Sequence, residues 1–481
     1  MGVVMHDGEL AKTEKLCYLS MKAGVKRLCE IKTWPRPAAA RRLRVGFDFY
    51  RDDLRDIQEV NDLIQHIASD EDIKSIYFGQ SGRSEFWILY EFWELLLLRV
   101  LPETEGTELS KRVYQKWFRR FVSELYSPTA VWRTIDTVTG LNLRGKELNF
   151  DQATALSSRP AYGLASSLWG PQQYPLEGRL VLNDWSAVGL DKAVIITTVR
   201  IPKCEYAGSD MPYPHLTMDI ERSLAAIDAI RLTKPGSPRL HCYAKFQVSH
   251  FPLSMPLAFC RDEGSLGLYE NETVLERSDF LLVRNIWREL MSTKYKDTWP
   301  TRSKLNPMDI AFSGFSRSYE MRSWLDSIVD LTIALESLFG PSDNQELRHR
   351  ISLRAAWLLT RTDRESPAKL RNKVYDCVRT MYDIRSRRVH GDMPKDSEIR
   401  KWVQILSDSK YDRHDGAEER RLIELALESG RDIVRNALLA CMKLQKLSPT
   451  GPHWPLPDDF DENLIIPVQR KIWQKAAGIR K

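Results

Sequence analysis

The sequence predicts an α+β N-terminal region followed by an all-α helical bundle. Two observations carry that expectation. Apolar residues recur at three- and four-residue spacing before residue 126, and again from about Ser278 to Leu444, the period of helices with one buried face. Between Val131 and about Cys260 the pattern shifts to short strand-like runs, separated by turns such as Gly170-Pro171, Lys234-Pro235-Gly236 and Ser237-Pro238. At 481 residues the chain has room for two to four domains with substantial cores.

Residues 1–46 mix basic helical turns with a break at Trp34-Pro35-Arg36-Pro37 and form an N-terminal segment. Asp52–Asp70 reads as a helix with Leu54, Ile57, Val60, Ile64 and Ile67 on one face. Glu85–Leu101 is the next helix. Its Leu95–Leu98 run is membrane-like, but Glu91, Glu94 and Arg99 interrupt the apolar stretch, which is too short to span a bilayer, so a buried helix is expected. Leu109–Tyr126 packs Val113, Trp117 and Phe121 and shows Lys111, Arg112, Lys116, Arg119 and Arg120 to solvent or a partner. Strands are expected at Val131–Leu143, Arg179–Leu182, Val194–Ile201 and Leu240–Phe251, with one amphipathic helix, Thr217–Leu232, among them. Residues 47–270 thus read as an α+β region of unknown function, without a phosphate loop, metal-ligand helix or nucleophile elbow.

Residues 276–445 read as the bundle, with helices at Asp279–Thr293, Arg317–Phe339, Gln345–Thr360, Pro367–His390 and Gly416–Leu444. Trp324, Ile328, Leu331, Leu335 and Leu338 make a bundle seam on the second. Gly340-Pro341 stops that helix, and Asp343 or Asn344 can cap the next. Pro367–His390 presents Leu370, Val374, Cys377, Met381 and Ile384 as its core stripe, with Gly391 as the C-terminal cap and Pro394 just beyond. The Pro-rich tail, 446–481, reads as an extended arm with a short helix near Gln469–Ala476.

The seven cysteines (17, 29, 204, 242, 260, 377 and 441) form no CxxC pair, which argues against a structural zinc site and a disulfide framework. A reducing cytoplasm is the expected setting. Charged residues precede any apolar run, so no secretory signal is expected. Met1-Gly2 opens like a myristoylation motif, but His6 stands at the Ser/Thr position, and no membrane partner is expected. The charge surplus is local. From Gln345 to Lys401 there are fifteen Lys/Arg and eight Asp/Glu, a net of +7, against +6 for the whole chain. Such a field attracts polyanions.

That basic segment contains the candidate site, Tyr382-Asp383-Ile384-Arg385-Ser386-Arg387-Arg388-Val389-His390-Gly391. Of the nine histidines, only His390 has an arginine five positions ahead. The pairing suits metal-free RNA cleavage, in which the ribose 2′-hydroxyl is the nucleophile. Such cleavage needs a group that moves protons near neutral pH, as imidazole does, and a fixed cation to hold the phosphate, as guanidinium does. Arg387 and Arg388 are expected to disfavour the imidazolium and keep His390 available as a base. Five residues of α-helix turn through about 500°, so Arg385 and His390 should diverge by roughly 140°. Convergence therefore requires a loosened last turn, a wrapped arginine, or a second copy of the chain facing the first.

Residues 320–391 resemble the HEPN superfamily, and within it the ApeA-like group. The resemblance rests on Asp326–Leu338, which is similar to a motif helix ending in Leu-Glu-x-Leu. It rests also on Glu346 through Arg354-Ala355-Ala356, and on a Tyr-Asp-x-Arg-Ser-x-x-x-His-Gly signature at Tyr382–Gly391. It implies a HEPN-type helical bundle that usually dimerises, and a metal-independent endoribonuclease of bacterial defence, anti-phage or abortive-infection in kind, with RNA as substrate and no cofactor. Carried over by position, Arg385 and His390 are the catalytic pair. Ser386, Arg387, Arg388, Asp383, Glu336 and Arg354 are candidate supporting residues. The N-terminal region would sense a phage-derived trigger or select the target. The alternatives are a non-catalytic RNA- or protein-binding HEPN module, and the toxin of a toxin–antitoxin pair.

Overall fold

The computed structural model describes residues 7–30, 56–77, 86–101, 109–158, 193–203, 216–248, 257–260, 272–293, 306–321, 323–340, 346–360, 367–392, 394–409, 416–447 and 459–478, with single positions 54, 452 and 456. The described fold is mostly helical, with antiparallel strands in the N-terminal half. The chain forms two compact units that alternate along it. One comprises 1–139, 146–223 and 240–261, the other 140–145, 224–239 and 262–481. The strand expected at Arg179–Leu182, the Trp34–Pro37 break and the caps at Asp343 or Asn344 lie outside the described residues.

The described residues of the first unit begin with helices α1 (Asp7–Glu30), α2 (Gln58–Ser69), α3 (Glu71–Tyr77), α4 (Phe86–Val100) and α5 (Lys111–Leu125). Val60, Ile64 and Ile67 of α2 are buried, as their spacing predicts. In α4, Phe92, Trp93, Leu96 and Leu97 are buried in the same core. The apolar run is therefore a buried helix, and no helix among the described residues is long and apolar enough to cross a membrane. Trp93 donates its indole N–H to Ser20 at 3.0 Å. Its ring would stand 3.1 Å from a Cβ placed on Gly24, so the glycine lets α1 and α4 approach closely.

A six-stranded sheet follows in the order β3-β4-β5-β1-β6-β7, with β1 (Thr129–Thr139), β3 (Glu147–Asn149), β4 (Thr154–Ser157), β5 (Ala193–Pro202), β6 (Arg239–Gln247) and β7 (Leu257–Cys260). β1 and β5 pair antiparallel from Thr129↔Pro202 to Val138↔Ala193. The Val131–Leu143 run is two strands rather than one. Gly140 breaks it at a φ of +66°, and a Cβ there would lie 2.7 Å from the Ser237 carbonyl. Beyond that kink β2 (Leu141–Arg144) pairs in parallel with β8 (Thr273–Glu276), and both belong to the second unit.

Helix α6 (Leu216–Thr233) runs from the first unit into the second, and it is not the one-faced helix expected over Thr217–Leu232, since Ala225 through Leu232 are all buried, Asp228 and Arg231 included. The second unit continues with α7 (Phe280–Ser292), α8 (Pro307–Arg317), α9 (Trp324–Phe339), α10 (Leu347–Leu359), α11 (Pro367–Val389), α12 (Asp396–Ser407), α13 (Gly416–Gln445), α14 (Phe460–Ile465) and α15 (Pro467–Ala476). The helix expected over Arg317–Phe339 begins only at Trp324, and α8 ends where it was expected to start. Asn306 and Asp309 cap each other's backbone at the start of α8, with Pro307 at its first position, a signature of helix entry. Close approach at Gly314, where a Cβ would meet the Asp330 carbonyl at 2.5 Å, seats α8 on α9. Between them Tyr319 is fully buried, with the Arg231 and Arg431 guanidiniums 4.3 and 3.9 Å from its ring centre.

The seam residues Ile328, Leu331, Leu335 and Leu338 are all buried, while Trp324 is half-buried at the entrance of α9. On α11, Cys377, Met381 and Ile384 are buried with Val378, but Leu370 is exposed, because the first turns of the helix stand beyond the core. Among its described residues the tail is helical rather than extended, with α15 where a short helix was expected over Gln469–Ala476. α14 and α15 fold back on α10 and α13, with Phe460 stacked on Trp473 at 5.2 Å. Gln474 donates to the Trp357 and Thr360 carbonyls at 2.8 and 2.7 Å.

Candidate active site

The candidate catalytic residues stand at the C-terminal end of α11, where α9, α10 and α12 meet it. The helix ends in a Schellman motif. The Gly391 N–H donates to the Arg388 carbonyl at 3.3 Å, and the Asp392 N–H to the Arg387 carbonyl at 3.0 Å. Gly391 adopts a φ of +78°, the left-handed conformation that a glycine allows at little cost. The sequence-predicted cap is therefore the cap observed. Upstream the ladder is intact, with the His390 N–H donating to the Ser386 carbonyl at 3.1 Å. The last turn does not loosen, so Arg385 and His390 keep the roughly 140° divergence of a regular helix.

Each of the two faces a different way. Arg385 turns toward α9, where its Nε stands 3.4 Å from Glu336 Oε1, and the two side chains are 28 % and 17 % exposed. Neither atom has a hydrogen-bond partner, so the pair is held by charge rather than by an aligned hydrogen bond. Burial pushes the Glu336 carboxyl up, and the Arg385 cation opposes that shift. The Arg385 guanidinium also lies 5.9 Å from the Tyr382 ring centre. His390 is exposed at the helix end, carried on the capped turn.

At 100° per residue, His390 falls within roughly 20° of Asp383 and about 60° of Arg387, on the opposite side from Arg385. That side of α11 borders a groove of about 740 Å³, lined by Arg348, Asp383, Ser386, Arg387, Glu398 and Trp402 among others. A second, shallower concavity on the Tyr382 side is lined by Glu346, Leu347, Arg348, His349 and Tyr382. His349 is exposed, and its Nδ1 lies 3.0 Å from the Tyr375 hydroxyl.

The remaining arginines of the signature are paired. Arg387 meets Glu398 of α12 at 2.7 Å and Arg388 meets Asp326 of α9 at 2.7 Å. Both cations expected to act on His390 are therefore members of ion pairs rather than free. Asp383 is paired with Arg348 of α10 at 2.7 Å. Ser386 lines the groove.

Arg354 is the site candidate that the structure places elsewhere. Its guanidinium is buried and grips Asp461 of α14 in two hydrogen bonds of 2.6 and 2.7 Å, with a third to the Phe339 carbonyl at 2.7 Å. Glu336 therefore pairs with Arg385, not with Arg354. The partners Asp326, Glu398, Arg348 and Asp461 were not assigned from sequence. Glu398 had a local signal, since it accepts from the Lys395 N–H at 3.1 Å in the first turn of α12. Asp326 lies 62 residues from Arg388 and had none. No known protein family, curated protein or solved structure matches the chain.

Proposed function

We propose that the protein is a metal-independent endoribonuclease of the HEPN type, with Arg385 and His390 at the reacting phosphate. The observation that carries this reading is the state of the pair. A half-buried carboxylate holds Arg385 in place without taking its Nε hydrogen bond, while a Schellman cap presents His390 to solvent. His390 takes the ribose 2′-hydroxyl proton as the 2′-oxygen attacks phosphorus and the P–O5′ bond breaks, and the leaving 5′-oxygen takes a proton from water. The products are a 2′,3′-cyclic phosphate and a 5′-hydroxyl. Proton transfer of this kind supplies typically ~10²–10⁴ in rate. Arg385 donates to the non-bridging oxygens, where charge accumulates in the transition state.

The divergence of the two side chains bears on assembly. A twofold pair of chains would set two Arg385/His390 sets about one cleft, so the complete site in this reading belongs to a homodimer. A role in bacterial anti-phage or abortive-infection defence, with the N-terminal unit answering a trigger, extends the same reading. The same divergence also favours a second reading, an RNA- or protein-binding HEPN module that does not cut. The discriminating experiment treats total cellular RNA with wild type, His390→Ala and Arg385→Ala in EDTA and maps the new ends. Discrete 2′,3′-cyclic phosphate ends lost in both variants support the nuclease. Absence of cuts, with equal RNA binding by all three proteins, supports the binding module.

A further inference from the structure

The N-terminal unit carries a charge distribution that the site on α11 does not explain. Helix α5 runs from Lys111 to Ser123 without a carboxylate, and Lys111, Arg112, Lys116, Arg119 and Arg120 are all exposed. At 100° per residue, Arg112, Lys116, Arg119 and Arg120 fall within roughly 100° of arc, along about 12 Å of the helix axis. Among the described residues, no carboxylate forms an ion pair with Lys111, Arg112, Arg119 or Arg120. The glutamates nearest before the helix, at 103, 105 and 108, lie outside the described residues.

For the isolated fold this arrangement is unfavourable twice over. Lys111 and Arg112 stand in the first turn, where the helix dipole is positive and favours acidic residues, and that turn has none. Arg112, Lys116 and Arg120 stack like charges at four-residue spacing, which repels along the face. Yet two of the heads, those of Lys116 and Arg120, rest on one aromatic ring. Trp117 is buried beneath them, with Arg120 and Lys116 at 5.1 and 5.0 Å from its ring centre, and Arg99 of α4 at 5.8 Å. An indole bearing several cations fixes long side chains that would otherwise lose rotamer freedom on binding.

We infer that the exposed face of α5 binds the phosphodiester backbone of RNA, giving the N-terminal unit a substrate-holding role separate from the α11 site. The choice of RNA among polyanions rests on the proposed cleavage reading. The chemistry that recognises it is charge complementarity along a line of guanidiniums, which neutralise phosphates and release counterions. Such contacts hold the strand without reading its sequence.

The test uses the full chain in a His390→Ala background, with a fluorescein-labelled single-stranded RNA, and follows anisotropy from 50 to 300 mM KCl. Arg112→Gln/Arg119→Gln/Arg120→Gln should weaken binding at low salt. Three lost phosphate contacts should make the slope of log K against log[KCl] shallower by about 2, at roughly 0.7 per contact. Thermal unfolding should be unchanged or slightly raised, because like-charge repulsion has been removed. An unchanged affinity and slope, with the variant folded, overturns the proposal. So does selective loss of polyglutamate binding with RNA binding intact, which would assign the face to an acidic polypeptide. Neither result depends on cleavage, so the nuclease reading stands or falls separately on the end-mapping experiment.

Discussion

Breaking the contact between Arg354 and Asp461 should release the C-terminal helices without unfolding the bundle. Arg354 Nε and Nη2 grip the two carboxylate oxygens at 2.6 and 2.7 Å, in the bidentate fork geometry, and Nη1 donates to the Phe339 carbonyl at 2.7 Å. The arginine side chain is 3 % exposed and the aspartate 33 %. Removing one partner of a buried pair typically costs about 3–5 kcal/mol, because the other charge remains unpaired. Solvent at Asp461, and its second partner Arg350 at 3.1 Å, place Arg354→Met at the low end, about 3 kcal/mol. Asp461→Asn should cost a similar amount, since it strands a guanidinium with only the Phe339 carbonyl and Arg354's contact with the Phe460 ring, 5.5 Å away.

Because one pair accounts for both losses, the double variant should fall short of the sum by about 2 kcal/mol, within the range measured for directly contacting residues. The assay is hydrogen exchange of the amides in 460–476, which reads local opening and does not require the whole chain to unfold in one step. Either single variant should raise the opening equilibrium of α14–α15 about 100-fold or more, at 1.4 kcal/mol per factor of ten. Acidification adds a check on sign. Burial alone would raise the Asp461 carboxyl, but the hydrogen bonds and charge of Arg354 and Arg350 hold it below the usual carboxylate range. A depressed folded value contributes stability above the ordinary carboxylate pKa that is lost as pH falls through the lowered one. Wild-type protection should therefore fall below about pH 4, and this dependence should be muted in Arg354→Met. Single-variant effects that add within about 0.3 kcal/mol would refute the coupling.

Three further outcomes follow from the same physics. Gly391→Ala forces a Cβ into a φ of +78° and should cost about 1–2 kcal/mol, read as a lowered melting temperature, although no neighbouring atom would crowd that Cβ. Burial pulls Lys203 from the ordinary 10.5 down to about 8, against Glu124, and its ammonium sits on Tyr77 with a 2.8 Å hydrogen bond to that hydroxyl. Between pH 8 and 10.5 the unfolded chain binds the extra proton, so stability should rise with pH by on the order of 3 kcal/mol, and denaturant titrations of Lys203→Met should lack that rise. For Glu336, burial raises the carboxyl, so its contribution should decline as pH rises through the ordinary value toward the raised one. Glu336→Gln should remove that dependence in pH-resolved unfolding, and in RNA digests it should lower cleavage while leaving chain stability nearly unchanged.

Local pattern in the sequence was enough for the periodic elements. The seam of α9, the buried run of α4 and the cap at Gly391 depend on helical spacing and on one residue's backbone freedom, and both are written in neighbouring residues. The Arg385–His390 spacing was equally legible, as was the angle between them, because both lie on one uninterrupted helix. What surrounds them was decided only in three dimensions. Arg385 could have met Glu336 or stood free, and Arg354 could have met Glu336. Packing of α9 and α10 on α11, and of α14 on α10, settled these choices by placing carboxylates from distant chain positions beside particular arginines. The break at Gly140 depended likewise on a carbonyl almost a hundred residues away. The tail was legible only in part, in its short helix over Gln469–Ala476 but not in its docking. Its prolines gave an extended pattern, but a buried guanidinium supplied a partner for Asp461, and Trp473 found Phe460, so helices that are too short to persist alone became stable when packed.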